Sequence, residues 1–285
     1  MKIRITRRQF VRDTTIAAAA MGTSLRAQAA TGAAVGMKIT VLGDSSCTPD
    51  VGHEAACLLI NGKHLVDTGW CAVLKMRQYG FDPMALESLI LTHFHQDHYL
   101  GLPQLLFYLG LHKRRGTPFK ILGPREYLEP VVKTAVEFLQ TSRFPEVALD
   151  YRLVPLAAGD QCELADLHLE TFAARHVSAA NRLEPALVYK VTDKVNGARA
   201  VLTGDTHYHP PIAEFAKGVP LLIHDGVHTA PKDAAGIARR AGVDRLVLIH
   251  YSQRQAARTL AEASAVFPHT ELAKEGTTLD VPAIR

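Results

Sequence analysis

From residue 38 onward, short apolar runs alternate with polar turns at a pace that suits a mixture of strands and helices. Residues 38–42, 56–60, 64–66 and 88–91 read as strands. Asn61-Gly62 between the second and third is a hairpin signal, because both positions tolerate positive φ. Helical spacing covers residues 70–79 and 102–112, the first ending before the break at Asp82-Pro83. A strand at 119–122 and a proline-started helix at 125–139 follow. The next third changes character: residues 149–155, 167–172, 186–191 and 199–202 alternate as antiparallel strands do, with a second hairpin signal at Asn196-Gly197. Short apolar strands at 221–223 and 245–249 then alternate with helical stretches. No repeat, low-complexity tract or long linker interrupts residues 37–285, which predicts one domain of α+β or α/β class with sheets inside and helices outside.

The beginning of the chain follows another pattern. Arg7 and Arg8 precede Phe10, a weakly apolar run covers residues 14–25, and Ala27, Gln28 and Ala29 close it. That order predicts a twin-arginine export signal over residues 1–29, cleaved after Ala29, with residues 30–36 as a short linker. The expected location is the periplasm, reached through the Tat export machinery. The run is short and alanine-rich beside the roughly 20 apolar residues that a span requires, so no stable membrane span is expected; an uncleaved tether stays open.

Charge and cysteine content refine this reading. The 285 residues are 47% hydrophobic, with a formal net charge of +4. Removing the six basic residues and one acidic residue of segment 1–29 leaves 26 basic against 27 acidic residues, a net charge of −1. That balance gives no sign of a nucleic-acid surface, and no nucleic-acid partner is expected. Cys47, Cys57, Cys71 and Cys162 show no CxxC spacing. An oxidising compartment permits a disulfide among the first three, and free buried thiols suit the sequence equally well.

Candidate chemistry begins at residues 91–100, LTHFHQDHYL, where His93, His95, Asp97 and His98 crowd the turn after the apolar run 88–91. Three imidazoles and a carboxylate so close together suit zinc and its first-row neighbours better than they suit a core. Three more polar residues sit just past strands: His176 after 167–172, Asp205 in TGD after 200–202, and His250 in LIHYS after 246–249. A lone histidine is more often a satisfied structural residue than a ligand. Strand ends, however, present residues to one rim of a scaffold, and the seven together comprise five His and two Asp, enough for two metals.

In these motifs the chain resembles the metallo-β-lactamase superfamily, over a span of roughly residues 38–252. The resemblance implies a four-layer αβ/βα sandwich with a dinuclear centre at one edge. His93, His95 and His176 would hold one ion, Asp97, His98 and His250 the other, and Asp205 would bridge them. Asp67, in a turn like the family's DTG, would orient ligands from behind. Two divalent cations are thus implied, zinc first, with manganese or iron as alternatives. Within the superfamily, the motifs are most similar to ribonuclease Z and its arylsulfatase-like and cyclic-phosphodiesterase relatives. LGDSSCTP resembles their opening loop, and LLIHDGVHTA followed by IARRAGVDRLVLIHYSQR resembles their final helix, strand and ligand block. There His228 falls on the position of the catalytic histidine, a proton donor or oxyanion stabiliser. The branch also implies a homodimer.

The chain departs from that branch as well. Ribonuclease Z proper carries a tRNA-binding arm between the positions of His176 and Asp205, and here only 28 residues separate them. Asp44, Cys47, Trp70 and Cys71 stand where the branch has small or polar residues. Together with the charge balance and the export signal, these departures argue against tRNA processing.

The chemistry implied is hydrolytic. Two ions roughly 3.5 to 4 Å apart bind a bridging water and lower its pKa toward about 7, giving a hydroxide nucleophile. Asp97 would hold or shuttle the water's proton and His228 would protonate the leaving oxygen, which makes both candidate catalytic residues. His207 and His209 of TGDTHYHP are candidate pocket liners. The expected substrate is a small phosphodiester or similar anionic ester. Alternatives are a lactone, carboxylic ester or aryl sulfate, in an apolar pocket built from Trp70, Phe94, Tyr99 and Tyr208, or a metal protein without turnover. The bridging Asp205 and His228 argue against β-lactam hydrolysis.

Overall fold

Two seven-stranded sheets stand face to face with helices on both outer sides, in a computed structural model that describes residues 36–114, 116–178 and 180–283. The export signal and all but the last residue of the linker lie outside the described residues. In the first sheet the strands run Thr278–Val281, Met37–Gly43, Cys57–Ile60, His64–Val66, Ser88–Ile90, Phe119–Pro124 and Tyr151–Leu156 from edge to edge. In the second they run Thr270–Leu272, Arg245–Ile249, Leu221–Asp225, Arg199–Leu202, Leu187–Asp193, Leu167–Ala173 and Gln161–Glu163.

Strand periodicity explains the layering. Leu167–Ala173 buries Leu167, Leu169 and Thr171 and leaves the residues between them partly exposed, so its apolar face turns inward. Ile39, Val41, Leu58 and Ile60 of the first sheet meet Leu169, Tyr189, Val191 and Leu202 of the second. Each such buried side chain contributes about 1.5–3 kcal/mol, which fixes the register of both sheets. The outer face of the first sheet is covered by helices Ala72–Gln78, Leu102–Leu111 and Leu128–Phe138. Ile212–Phe215, Pro231–Ala241 and Ala256–Ser264 cover the second. The expected four-layer sandwich is therefore present.

Several local expectations hold and others shift. Asn61 and Gly62 take positive φ in the turn between antiparallel strands Cys57–Ile60 and His64–Val66. The strand Tyr151–Leu156 pairs parallel with Phe119–Pro124 at the edge of the first sheet, rather than joining an antiparallel set. Its half-exposed edge position produces the same polar alternation that an antiparallel hairpin would. The helix expected from residue 125 starts at Leu128, with Pro130 in its first turn. Thr278–Val281 closes the first sheet against Met37–Gly43, a pairing of chain ends that local pattern does not reveal. All four cysteines are free thiols. No helix among the described residues is long and apolar enough to cross a membrane.

Strand direction gathers the polar residues. His64–Val66 and Ser88–Ile90 are parallel, and so are Arg199–Leu202, Leu221–Asp225 and Arg245–Ile249. Their C-terminal ends release Asp67, the 91–98 turn, Asp205, Asp225 and His250. The halves are stitched at this rim by Leu187 N donating to Thr92 O at 2.9 Å and by the Tyr189 hydroxyl donating to Leu91 O at 2.9 Å.

Candidate metal centre

The base of the site is a turn held by a carboxylate. Asp67 has φ 55°, a left-handed conformation that turns the chain sharply after its strand. Its Oδ1 accepts from Thr92 N at 2.8 Å, and its Oδ2 accepts from the Thr92 hydroxyl at 2.7 Å and from His98 Nδ1 at 2.8 Å. His98 therefore carries its proton on Nδ1 and presents a lone pair on Nε2. Gly204 of the TGD turn is required to be glycine: a Cβ there would meet the Cβ of Thr92 at 2.7 Å. The two halves thus close on Thr92.

Asp205 sits at the centre and is almost fully buried. Its Oδ1 lies 3.4 Å from His98 Nε2 and 3.5 Å from His250 Nδ1; its Oδ2 lies 3.7 Å from His93 Nε2 and 3.6 Å from His228 Nδ1. Burial raises its pKa, but the charges of His250 and His98 more than reverse that, so the carboxyl titrates below its ordinary range. Asp97 behaves alike: burial opposes ionisation, and the imidazoles of His250 and His98, 3.3 and 3.2 Å from its Oδ2, hold it well below. Burial lowers the pKa of His250, yet Asp205, Asp225 and Asp97 push it up to about 10. His93 moves the opposite way, lowered by burial and by the surrounding imidazoles.

The structure brings the seven expected ligand side chains together in two groups. The ligand atoms of His93, His95, His176 and Asp205 lie within 4.8 Å of one another, and so do those of Asp97, His98 and His250. His95 Nδ1 and His176 Nε2 face each other at 2.8 Å. His228 stacks on His250 with ring centroids 5.4 Å apart. Of the two candidate liners, His207 lies 5.3 Å from the His228 ring, while His209 stacks on Phe172, on the helix-covered face of the second sheet, and does not join the site. Trp70 and Tyr99 line a groove of about 730 Å³ with Leu100, Phe107, Val131 and Phe138; Phe94 and Tyr208 are not among its walls.

Sequence reasoning does not single out Asp225. Fully buried at the end of its strand, it accepts from Thr206 N at 3.0 Å and Val227 N at 2.8 Å, and from His228 Nδ1 at 2.9 Å. The hydrogen bond and charge of Asp225 raise the pKa of His228 against the lowering effect of burial. The available signal was HDGVH, a strand-end carboxylate three residues before a histidine.

The donor set fits divalent cations. His93 Nε2, His98 Nε2, His250 Nδ1 and Asp205 Oδ1 are buried without a hydrogen-bond partner, although each is close to others of the set. Such atoms ordinarily cost about 1–3 kcal/mol apiece, which argues for a shared positive centre that their lone pairs satisfy. Imidazole with carboxylate is the ligand chemistry of zinc and neighbouring first-row metals.

A family model described as the beta-lactamase superfamily domain matches residues 63–251. The chain is 26% identical to the ribonuclease Z of Methanothermobacter thermautotrophicus, covering 87% of this chain and 97% of that protein. It is 27% identical to the ribonuclease Z of Gemmatimonas aurantiaca, covering 85% and 95%. Among solved structures, the metallo-beta-lactamase fold protein YhfI from Bacillus subtilis gives a TM-score of 0.71 at 20% identity, covering 86% of this chain and 99% of that one. The short form of human tRNase Z gives 0.67 at 21% identity, with the same coverages. These likenesses bear out the expected superfamily and fold. They overturn the expectation that nucleic acid is excluded as a partner, since the relatives are named as ribonucleases. The physical flaw lay in the charge argument: net charge reports the long-range field of the chain, not which phosphodiester a buried cluster of ligands accepts.

Proposed function

Since the chain belongs to the beta-lactamase superfamily and is a metal-dependent hydrolase of ester bonds, we propose that it cleaves a phosphodiester at a pair of divalent cations. The observation carrying this reading is Asp205, one of whose oxygens faces His98 and His250 of one ligand cluster while the other faces His93 of the second cluster and His228. In the proposal His93, His95 and His176 hold one ion, Asp97, His98 and His250 the other, and Asp205 both; zinc is the first choice, manganese or iron the alternatives. When bound, the cations neutralise charge on the phosphoryl oxygens and make water nucleophilic near neutral pH.

The chain's own groups supply the rest. Asp97 is the carboxylate placed to take the proton of the incoming water. His228 is half-buried, and Asp225 holds its Nδ1, which leaves Nε2 as the atom that meets the substrate. From Nε2 a proton passes to the leaving oxygen. Asp67 keeps His98 in the tautomer that ligates.

The 28-residue segment between His176 and Asp205 favours a small phosphodiester. The relatives named ribonuclease Z make RNA a substrate to be tested beside it. A second reading, an aryl sulfate, lactone or carboxylic ester, is favoured by the apolar groove that Trp70 and Tyr99 wall. Purified protein with its metal content determined, assayed on bis-p-nitrophenyl phosphate, a tRNA precursor, p-nitrophenyl sulfate and an acyl lactone, decides among them. Turnover of a phosphodiester, lost together with bound metal in Asp205→Ala, is expected; turnover confined to the lactone or sulfate would reject the proposal. A periplasmic location is a separate part of it, resting on Arg7 and Arg8. Retention of the Arg7→Lys, Arg8→Lys double variant in the cytoplasm is the expected result, and unchanged fractionation would sink that part.

A further inference from the structure

Asp44 is a carboxylate to which the mechanism gives no role, yet it is fully buried and touches three separate parts of the chain. It follows the first strand, Met37–Gly43, in a segment that leaves the first sheet and crosses to the end of Arg245–Ile249 in the second. Ser45 forms isolated bridges with Ala55 on one side and Tyr251 on the other. The Asp44 side chain accepts from His53 Nδ1 at 3.1 Å and Gln253 Nε2 at 3.1 Å on Oδ1, and from Glu275 N at 3.0 Å on Oδ2. Its backbone oxygen accepts from His250 N at 3.0 Å.

The residue so held is unusual. His250 has φ 59°, a left-handed conformation that a side chain with a Cβ rarely adopts and that surrounding contacts must enforce. That turn directs its ring toward Asp97, 3.3 Å away in the other half of the molecule. Of the seven proposed ligands, Asp97 and His98 come from the first half and His250 from the second, so these three residues would hold an ion only with the two halves kept together. The ligands His93, His95 and His176 also draw on both halves, but the backbone pairing of Leu187 with Thr92 already ties that side. On the His250 side, the Asp44–Ser45 segment joins the halves, through the Ser45 bridges and the contacts of Asp44.

We propose that Asp44 is a positioning residue: by fixing the left-handed backbone of His250 and the width of the gap, it sets the affinity for the ion held by Asp97, His98 and His250, and for that ion selectively. This rests on the dinuclear reading above. The carboxylate bonds from His53, Gln253 and Glu275, with a longer one of 3.5 Å from the Tyr251 hydroxyl, hold the Asp44–Ser45 segment in place, and the segment holds His250 through its main chain. Loss of the carboxylate deprives the half-buried donors of Gln253 and Glu275 of this acceptor and frees His250 to relax away from the strained turn.

The test is zinc binding by the full chain, titrated against a chromophoric chelator, with circular dichroism as the check on folding. Wild type is expected to hold two equivalents; fewer than two would refute the dinuclear reading itself. Asp44→Ala is expected to retain one equivalent at wild-type affinity and to bind the other about 10- to 100-fold more weakly, the usual effect of removing an outer-shell partner. Asp44→Asn, which keeps one acceptor oxygen, should fall between. Gln253→Ala removes a single donor and serves if Asp44→Ala does not fold; it should weaken the same equivalent by a smaller factor. Combined with His95→Ala, Asp44→Ala should leave no tightly bound zinc; combined with His98→Ala it should change nothing further. Met76→Ala, a cavity under the first sheet, controls for general loss of stability. Wild-type affinity for both ions in Asp44→Ala, equal weakening of both, or the same loss in Met76→Ala would each overturn the proposal.

Discussion

Replacing Asp67 by Asn should weaken metal binding while leaving the fold in place. The carboxylate accepts three buried bonds of 2.7–2.8 Å, two from Thr92 and one from His98 Nδ1. Asn is nearly isosteric but puts an NH₂ on one of the two oxygen positions. If that group faces His98, two donors oppose each other, and the relief open to His98 is to move its proton from Nδ1 to Nε2. Nε2 is the atom 3.4 Å from Asp205, and protonating it removes the lone pair an ion requires. If the amide flips instead, Thr92 N loses its acceptor. A hydrogen bond to a charged group contributes about 1.5–3 kcal/mol against about 1 for a neutral one, so the correct tautomer loses about 0.5–2 kcal/mol of preference, or about 2- to 30-fold in affinity. Chelator competition measures this directly, with far-UV circular dichroism confirming a folded chain. A folded Asp67→Asn protein with wild-type zinc affinity would show that Asp67 does not select the tautomer of His98.

Three further outcomes are expected. His228→Gln should lower kcat by about 10²- to 10⁴-fold with metal content unchanged, and by less on p-nitrophenyl esters, whose leaving group departs without a proton; equal losses on both substrate types would remove the proton-donor role. Glu275 accepts from Lys75 Nζ and Tyr79 OH, each at 2.6 Å; burial raises its pKa, but these bonds and the Glu54 amide hold it below its ordinary value of 4.5. A depressed carboxyl stabilises the fold fully above that value and loses the effect as pH falls through its folded pKa, so the stability gap between wild type and Glu275→Gln should be widest near neutrality and shrink on acidification; a gap independent of pH contradicts this. Burial and a bond to Glu54 raise the Cys71 thiol to about 12, so it should react with iodoacetamide at pH 8 at least about 100-fold more slowly than exposed Cys47, as peptide mass spectrometry can measure.

How far the sequence foretells the fold depends on which forces act locally. The hairpin at Asn61-Gly62 and the alternation in Leu167–Ala173 are properties of adjacent residues, and both appear as expected. Pairing of Thr278–Val281 with Met37–Gly43 joins residues some 240 positions apart, and no local pattern encodes it. The parallel placement of Tyr151–Leu156 is likewise a choice of partner, made by the helix Leu128–Phe138 that carries the chain back across the sheet. Period-2 burial says which face of a strand is apolar and is silent on which strand lies beside it.

The candidate site is legible for a different reason. His93, His95, Asp97 and His98 lie within six residues, and a cluster that dense has little structural use without a cation. Asp205 and His250 gain meaning from standing at strand ends, because parallel strands in one sheet release their ends at one rim. Asp225 stands at the same rim without standing out in the sequence, since a single carboxylate after LLIH carries no density of its own. Its function is visible only through its partners, two backbone amides and the Nδ1 of His228. Asp44 is more remote still: it sits in the opening loop, and its connection to His250 runs through a main-chain oxygen. Side-chain identity thus predicts the groups that would touch an ion, whereas the groups that aim them act through backbone geometry. A sequence motif for such a residue need not exist, because any chain that delivers an acceptor to His250 N and to Gln253 would do the same work.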